Sequence, residues 1–175
     1  HEFRYFTEYG ELDGDFAHLD LEAEYDSGVV FAKVSASYDE FSANTLDILG
    51  GGASFTGVLV ERDRTTLDGS VRYDFSDLTG VRVGLKYNET NYDETEYTGA
   101  TIQYNDRDSI ALPITFLYAI SPKLDLTAGY RYREVNVDSG FRTVFFPAPV
   151  GAVTTTIAGS DYSDNFFFVG AEGEL

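Results

Sequence analysis

The stretch Leu124-Asp-Leu-Thr-Ala-Gly-Tyr-Arg-Tyr-Arg133 decides the fold. Its Leu124, Leu126, Ala128, Tyr130 and Tyr132 alternate with Asp125, Thr127, Gly129, Arg131 and Arg133. An extended chain has a period of two, so the first set lies on one face. That face requires lipid or a protein core. At the end of the chain Phe167, Val169, Ala171, Gly173 and Leu175 share one face, and Phe166, Phe168, Gly170, Glu172 and Glu174 share the other. A terminal strand of this kind, after another of the same pattern, is what a transmembrane barrel needs to close its sheet. The expected fold class is all-β: an antiparallel, up-and-down transmembrane β-barrel of about 8–10 strands, or the C-terminal part of a larger one. It forms a single domain over residues 1–175.

Working outward, earlier segments repeat the unit. Ala17, Leu19, Leu21, Ala23 and Tyr25 oppose His18, Asp20, Glu22 and Glu24; after a reversal at Asp26-Ser-Gly28, Val30, Ala32, Val34, Ala36 and Tyr38 oppose Lys33, Ser35, Ser37 and Asp39. Leu67, Val71 and Tyr73 alternate with Asp68, Ser70 and Arg72, Val81, Val83, Leu85 and Tyr87 with Arg82, Gly84 and Lys86. Several of these faces end in Tyr, as a ring at a membrane interface should. Strand formers over Glu2 to Tyr9 indicate a further strand, followed by a turn at 10–15. A strand over 53–62 is expected to end in a charged reversal at 61–64. A long strand runs from Tyr97 to Tyr118, with a bulge at Pro113, which lacks an amide donor. This reading amounts to about nine strands, whereas single-chain bacterial barrels use even numbers. Short turns at 75–80 and 119–123 alternate with longer loops at about 39–52, 88–96 and 135–160, the asymmetry of outer-membrane barrels.

Composition narrows the classes. No window approaches the roughly 18 consecutive apolar residues of a spanning helix, so strands must carry any membrane role. Thirty acidic residues against twelve basic ones give a formal charge of −18, the wrong field for nucleic acid. The absence of Cys excludes disulfides and thiolate metal sites. The absence of Met points to a removed signal peptide or a piece of a longer chain. The expected location is the bacterial outer membrane or cell surface.

Val71 to Tyr87, Tyr118 to Tyr132 and the terminal strand resemble the hairpins of the β-barrel porin 2 group of bacterial outer-membrane proteins, and Glu2 to Asp39 is similar in flavour. The resemblance lies in strand cadence and turn wording over most of the chain. It implies an outer-membrane location and a channel-like role, with no catalytic residues to carry over.

If the apolar faces meet lipid, the other faces line a lumen. Arg72, Arg82, Lys86, Arg131 and Arg133 then look inward, as do Glu22, Glu24, Glu172 and Glu174. Either they fill a narrow interior with salt bridges or, in a wider barrel, they create a field that selects small polar or charged solutes. Glu11, Asp13 and Asp15 are weak Ca²⁺ candidates, with 91–96 as a second acidic turn; neither fits the EF-hand pattern, and solvated turns are the simpler reading. No other cofactor is expected. His18, two residues from Asp20, has no nucleophile in register, and no enzymatic activity is expected.

The segment 139–159 is nearly uncharged, and Phe145, Phe146, Pro147, Pro149 and Val150 need cover. Either Arg142 to Phe146 and Ala152 to Ile157 extend the barrel as a hairpin or fold inward, or the tip docks on another protein or another copy. Three functions follow: a porin-like or structural barrel in a lipid bilayer; a self-associating or adhesive barrel, a homo-oligomer joined through this loop and an open strand edge; and a soluble exported β-sandwich binding module.

Overall fold

The computed structural model describes residues 2–11, 17–44, 59–97, 100–121, 124–146 and 151–173. Among them there is no helix; the chain is all-β and every strand pairing is antiparallel. The strands are β1 (Glu2–Glu11), β2 (Ala17–Asp26), β3 (Val30–Asn44), β4 (Leu59–Ser76), β5 (Thr79–Tyr92), β6 (Thr95–Tyr97), β7 (Ala100–Gln103), β8 (Arg107–Ser121), β9 (Leu124–Val137), β10 (Gly140–Phe146), β11 (Gly151–Ile157) and β12 (Tyr162–Gly173). Eight of them form one sheet in the order β1-β2-β3-β4-β5-β8-β9-β12, and four form a second, β11-β10-β7-β6.

Register turns the alternation into two continuous faces. One row passes through all eight strands as Phe3, Tyr25, Ala32, Val71, Val83, Ile114, Tyr130 and Phe167, each the direct partner of the next. A neighbouring row passes from Asp68 through Lys86, Ala111 and Arg133 to Asp164. A slip of one residue at any ladder would mix the two, and none occurs within the rows. The shifts fall at the turns instead, at Asp74/Ser76 and Ala119/Ser121.

At one end the connections are short. At Asp26, Oδ1 accepts the Gly28 amide at 2.6 Å, and Ser27 Oγ accepts the Val30 amide at 3.0 Å, side-chain bonds that close the reversal locally. Ser76 and Thr79 close the next turn through their hydroxyls, 2.8 Å apart. At the other end β5 is joined to β8 through 93–106 and β9 to β12 through 138–161; 12–16 and 45–58, which join β1 to β2 and β3 to β4, lie outside the described residues. The asymmetry expected from the sequence is present, with different boundaries.

Several expectations are corrected. The segments 53–62 and 66–74 are not two strands joined by a reversal at 61–64: β4 runs unbroken through Glu61 to Arg64, paired with β3 and β5 on either side, and 53–58 lie outside the described residues. The main sheet therefore has eight strands rather than nine. The loop at 39–52 begins later, because β3 continues to Asn44, and 45–52 lie outside the described residues. Residues 88–92 belong to β5 and 95–97 to β6, and the long strand expected from Tyr97 is divided among β6, β7 and β8. Pro113 produces no shift of register. The β5–β8 ladder skips from Val83↔Ile114 to Lys86↔Ala111 and resumes in step, while Pro113 keeps Arg131 as its partner on β9. The missing donor interrupts one ladder without kinking the strand.

The segment 135–160 is not a loop. After β9 it folds into the hairpin β10–β11 over the stretches expected to form one, but in the second sheet, where β10 pairs with β7 of the 93–106 connection, rather than as an extension of the main sheet. Val60, Ile102 and Tyr104 are buried where this second sheet meets β4, with Tyr92 and Val144 packed against them. Phe145 and Phe146 lie on β10 by their backbone, and Pro147, Pro149 and Val150 lie outside the described residues. The main sheet itself is open: β1 and β12 are its two ends, and among the described residues no ladder joins them.

Candidate functional site: the concave charged face

The two faces of the main sheet differ in chemistry. Along β8, Ile110, Leu112, Ile114, Phe116, Tyr118 and Ile120 stand 39–60% exposed, whereas Ala111, Thr115 and Leu117 between them are buried. Soluble monomers rarely expose an apolar surface this extended. Ten residue steps from Ile110 to Ile120 span about 33 Å along the strand, or roughly 25 Å of height at the usual tilt of a barrel strand, the height of an outer-membrane apolar band.

The other face curls inward. Arg72 of β4 reaches Asp125 of β9 at 3.2 Å, and Arg82 of β5 holds Glu172 of β12 through two bonds of 3.1 and 2.8 Å. Each pair is separated by two intervening strands. On a flat sheet three strand spacings amount to about 14 Å with side chains projecting in parallel, so these contacts require strong curvature toward the charged side. The charged face is concave and the apolar face convex.

Of the expected lumen-lining groups, Arg82 and Glu172 meet directly, Lys33 joins Glu22 at 2.9 Å and Glu24 at 3.2 Å, and Arg72 also binds Asp74 at 2.8 Å. Lys86 lies 3.6 Å from Asp68, and Arg133 Nε donates to Asp164 at 2.9 Å. Glu174 lies outside the described residues. Sequence reasoning did not assemble Lys33, Asp68, Asp74, Asp125 and Asp164 into this network. Lys33, Asp68, Asp74 and Asp125 were legible as members of the polar face, but their partners depend on curvature and register. Arg131 is set apart. It makes no ion pair among the described residues; its guanidinium lies 5.2 Å from the Phe166 ring centre, and its Nε is buried without a hydrogen-bond partner.

His18 is held by carboxylates on both ring nitrogens, Nε2 by Asp20 at 2.8 Å and Nδ1 by Asp39. Of the calcium candidates, Glu11 ends β1, and Asp13 and Asp15 lie outside the described residues. Among the described residues no group of three or more His, Asp or Glu side chains is arranged to hold a metal.

No family model matches this chain, and no curated protein is similar to it. The functional argument therefore rests on the chain's own geometry. That geometry offers an apolar convex surface, a concave surface of paired charges, and at its centre a cavity of about 600 Å³.

Proposed function

We propose that this chain is an outer-membrane β-barrel of a diderm bacterium, and that its role is structural or porin-like rather than enzymatic. The observation that carries the reading is the apolar row through all eight strands, backed on the opposite face by charges paired across the curve. Such an inside-out sheet suits hydrocarbon outside and polar contents inside. A soluble sandwich needs a second layer over the convex face, and the half-exposed side chains of β8 have none among the described residues. An even number of strands lets β1 and β12 meet antiparallel. The bridges Arg72–Asp125 and Arg82–Glu172 cross the interior, which favours the structural end of the range over an open pore.

The test is the mobility of the refolded chain on an SDS gel, boiled against unboiled, with a scan of cysteine pairs placed along β1 and β12. The cysteine-free background makes every cross-link attributable. A heat-dependent shift with intramolecular cross-links is the expected result; a freely soluble product without the shift would sink the membrane reading. Large single-channel steps in a planar bilayer would replace the structural role with a conducting one.

A second reading has one observation behind it. Every residue of β11 is exposed, and β11 is the edge of its sheet, free to pair with another chain. On that reading the barrel self-associates or adheres through its long-loop end, and intermolecular cross-links at β11 are its signature.

A further inference from the structure

The cavity on the concave face exists because the inner positions of the central strands are small. Ala111 and Gly84 line it where larger groups would fill it. At two glycines the space above the strand is already occupied. A Cβ on Gly129 would lie 2.5 Å from the Phe168 ring, and one on Gly84 would lie 2.9 Å from the Pro113 ring. The glycine at 129 thus lets Phe168 lie flat across β9, and Phe166 and Phe168 stack at 6.2 Å beside it. The result is an aromatic wall in a charged interior.

The charges around the cavity do not cancel. Lys86 is matched by Asp68, Arg82 by Glu172 and Arg133 by Asp164. Arg131, which also lines the cavity, has no carboxylate partner among the described residues and rests against Phe166. The Arg131 Nε is buried without a hydrogen-bond partner, an unmet cationic donor that a carboxylate oxygen would satisfy. One charge is missing, and the wall beside it is apolar.

We propose that this cavity binds a small organic monocarboxylate with an aromatic or compact apolar body, its carboxylate on Arg131 and its body against Phe166 and Phe168. The inference rests on the concave face being the interior of a folded barrel, a space that in eight strands can hold one small ligand. A dianion would exceed the one unmatched charge. A short aliphatic acid would leave the aromatic wall unused, and a neutral aromatic would leave Arg131 unpaired.

The test uses the full chain refolded in detergent micelles, with 4-fluorobenzoate as the probe and its fluorine resonance as the readout. The same sample is run boiled and unboiled on a gel. The folded protein is expected to show saturable binding that benzoate displaces and that acetate and benzyl alcohol do not. Arg131→Gln should weaken it about tenfold or more, the worth of one charge-assisted hydrogen bond, with Arg131→Lys falling between. Phe166→Leu should reduce the preference for benzoate over acetate while keeping the charge. Protein that shows the heat shift yet binds no 4-fluorobenzoate, or whose Arg131→Gln and Arg131→Lys forms bind as well as the parent, overturns the inference and leaves the barrel standing. Protein without the shift removes the barrel reading, and the inference with it.

Discussion

The cluster at the junction of the two sheets and the convex face of the eight-stranded sheet treat apolar side chains in opposite ways. Where the small sheet meets β4, Val60, Ile102 and Tyr104 are at most 6% exposed. On the convex face of the large sheet, Val34 and Phe116 are 60% exposed and Val169 is 86% exposed. Both regions are made of antiparallel strands with the same residue types; on the proposed reading the difference lies in what each part meets, water or hydrocarbon. The cluster of Val60, Ile102 and Tyr104 is buried as in a protein in water, while β11 at the edge of the small sheet is exposed throughout. The large sheet presents them outward and gathers its charges inward, which is favourable when the surroundings are hydrocarbon. If the convex face meets lipid as proposed, the boundary between the two environments falls near the long-loop end of the main sheet.

The largest effect that would test this contrast is a charge on the convex face. Ile114→Arg, near the middle of the apolar stretch of β8, is expected to cost about 2–4 kcal/mol of folding stability in lipid vesicles, measured by urea titration. In water an exposed site should barely respond, so a change under about 0.5 kcal/mol would mean that the convex face does not meet lipid. Next in size is the small buried cluster. Val60→Ala removes two methyl groups from a fully buried site and should cost about 2 kcal/mol. The loss should appear as faster amide exchange in β7 and β10, with the heat-dependent gel shift of the barrel unchanged. Equal loosening of both sheets would mean that they form one cooperative unit.

The smallest effect concerns Tyr104, just beyond β7, whose hydroxyl is buried without a partner among the described residues. Burial pushes its phenol above the ordinary value of 10.0. Folding therefore favours the protonated form. The corresponding stability is complete below about pH 10 and is lost as pH rises through the raised native value. Tyr104→Phe should be neutral or slightly stabilising at pH 7 and should flatten the alkaline response of β7 and β10 in hydrogen exchange. A clear loss of stability at pH 7 would show that the hydroxyl has a partner in solution.

The faces of the strands were legible because a period of two survives any context. Leu124 to Arg133 and Ile110 to Tyr118 lie on the faces their alternation assigned. The strand count was not legible at Glu61 to Arg64. There β4 extends past the apolar stretch, and its partners are Asp39 to Ser42 on β3, polar but for Phe41, and Thr90 to Tyr92 on β5. Without a buried face there is no hydrophobic period to read, and only the backbone ladders hold such a stretch extended. The hairpin β10–β11 was legible as an unusual apolar segment. Its pairing with β7 was not, because nothing local specifies which distant strand meets an edge.

The candidate site divides in the same way. By itself the sequence determined that charged and small residues share one face of each strand and apolar residues the other, since successive side chains point to opposite sides. It determined that the charges balance poorly, with a strong acidic excess over the whole chain. Only the tertiary structure decided which charges meet. Arg72 finds Asp125, and Arg82 finds Glu172, across two intervening strands because the sheet curls. Register rather than curl sets Phe166 opposite Arg131 and Phe168 opposite Gly129, where they line one cavity with Arg131 left without an acid among the described residues. Curvature is a property of the assembled ladders and their glycines rather than of any one strand, so local pattern cannot carry it.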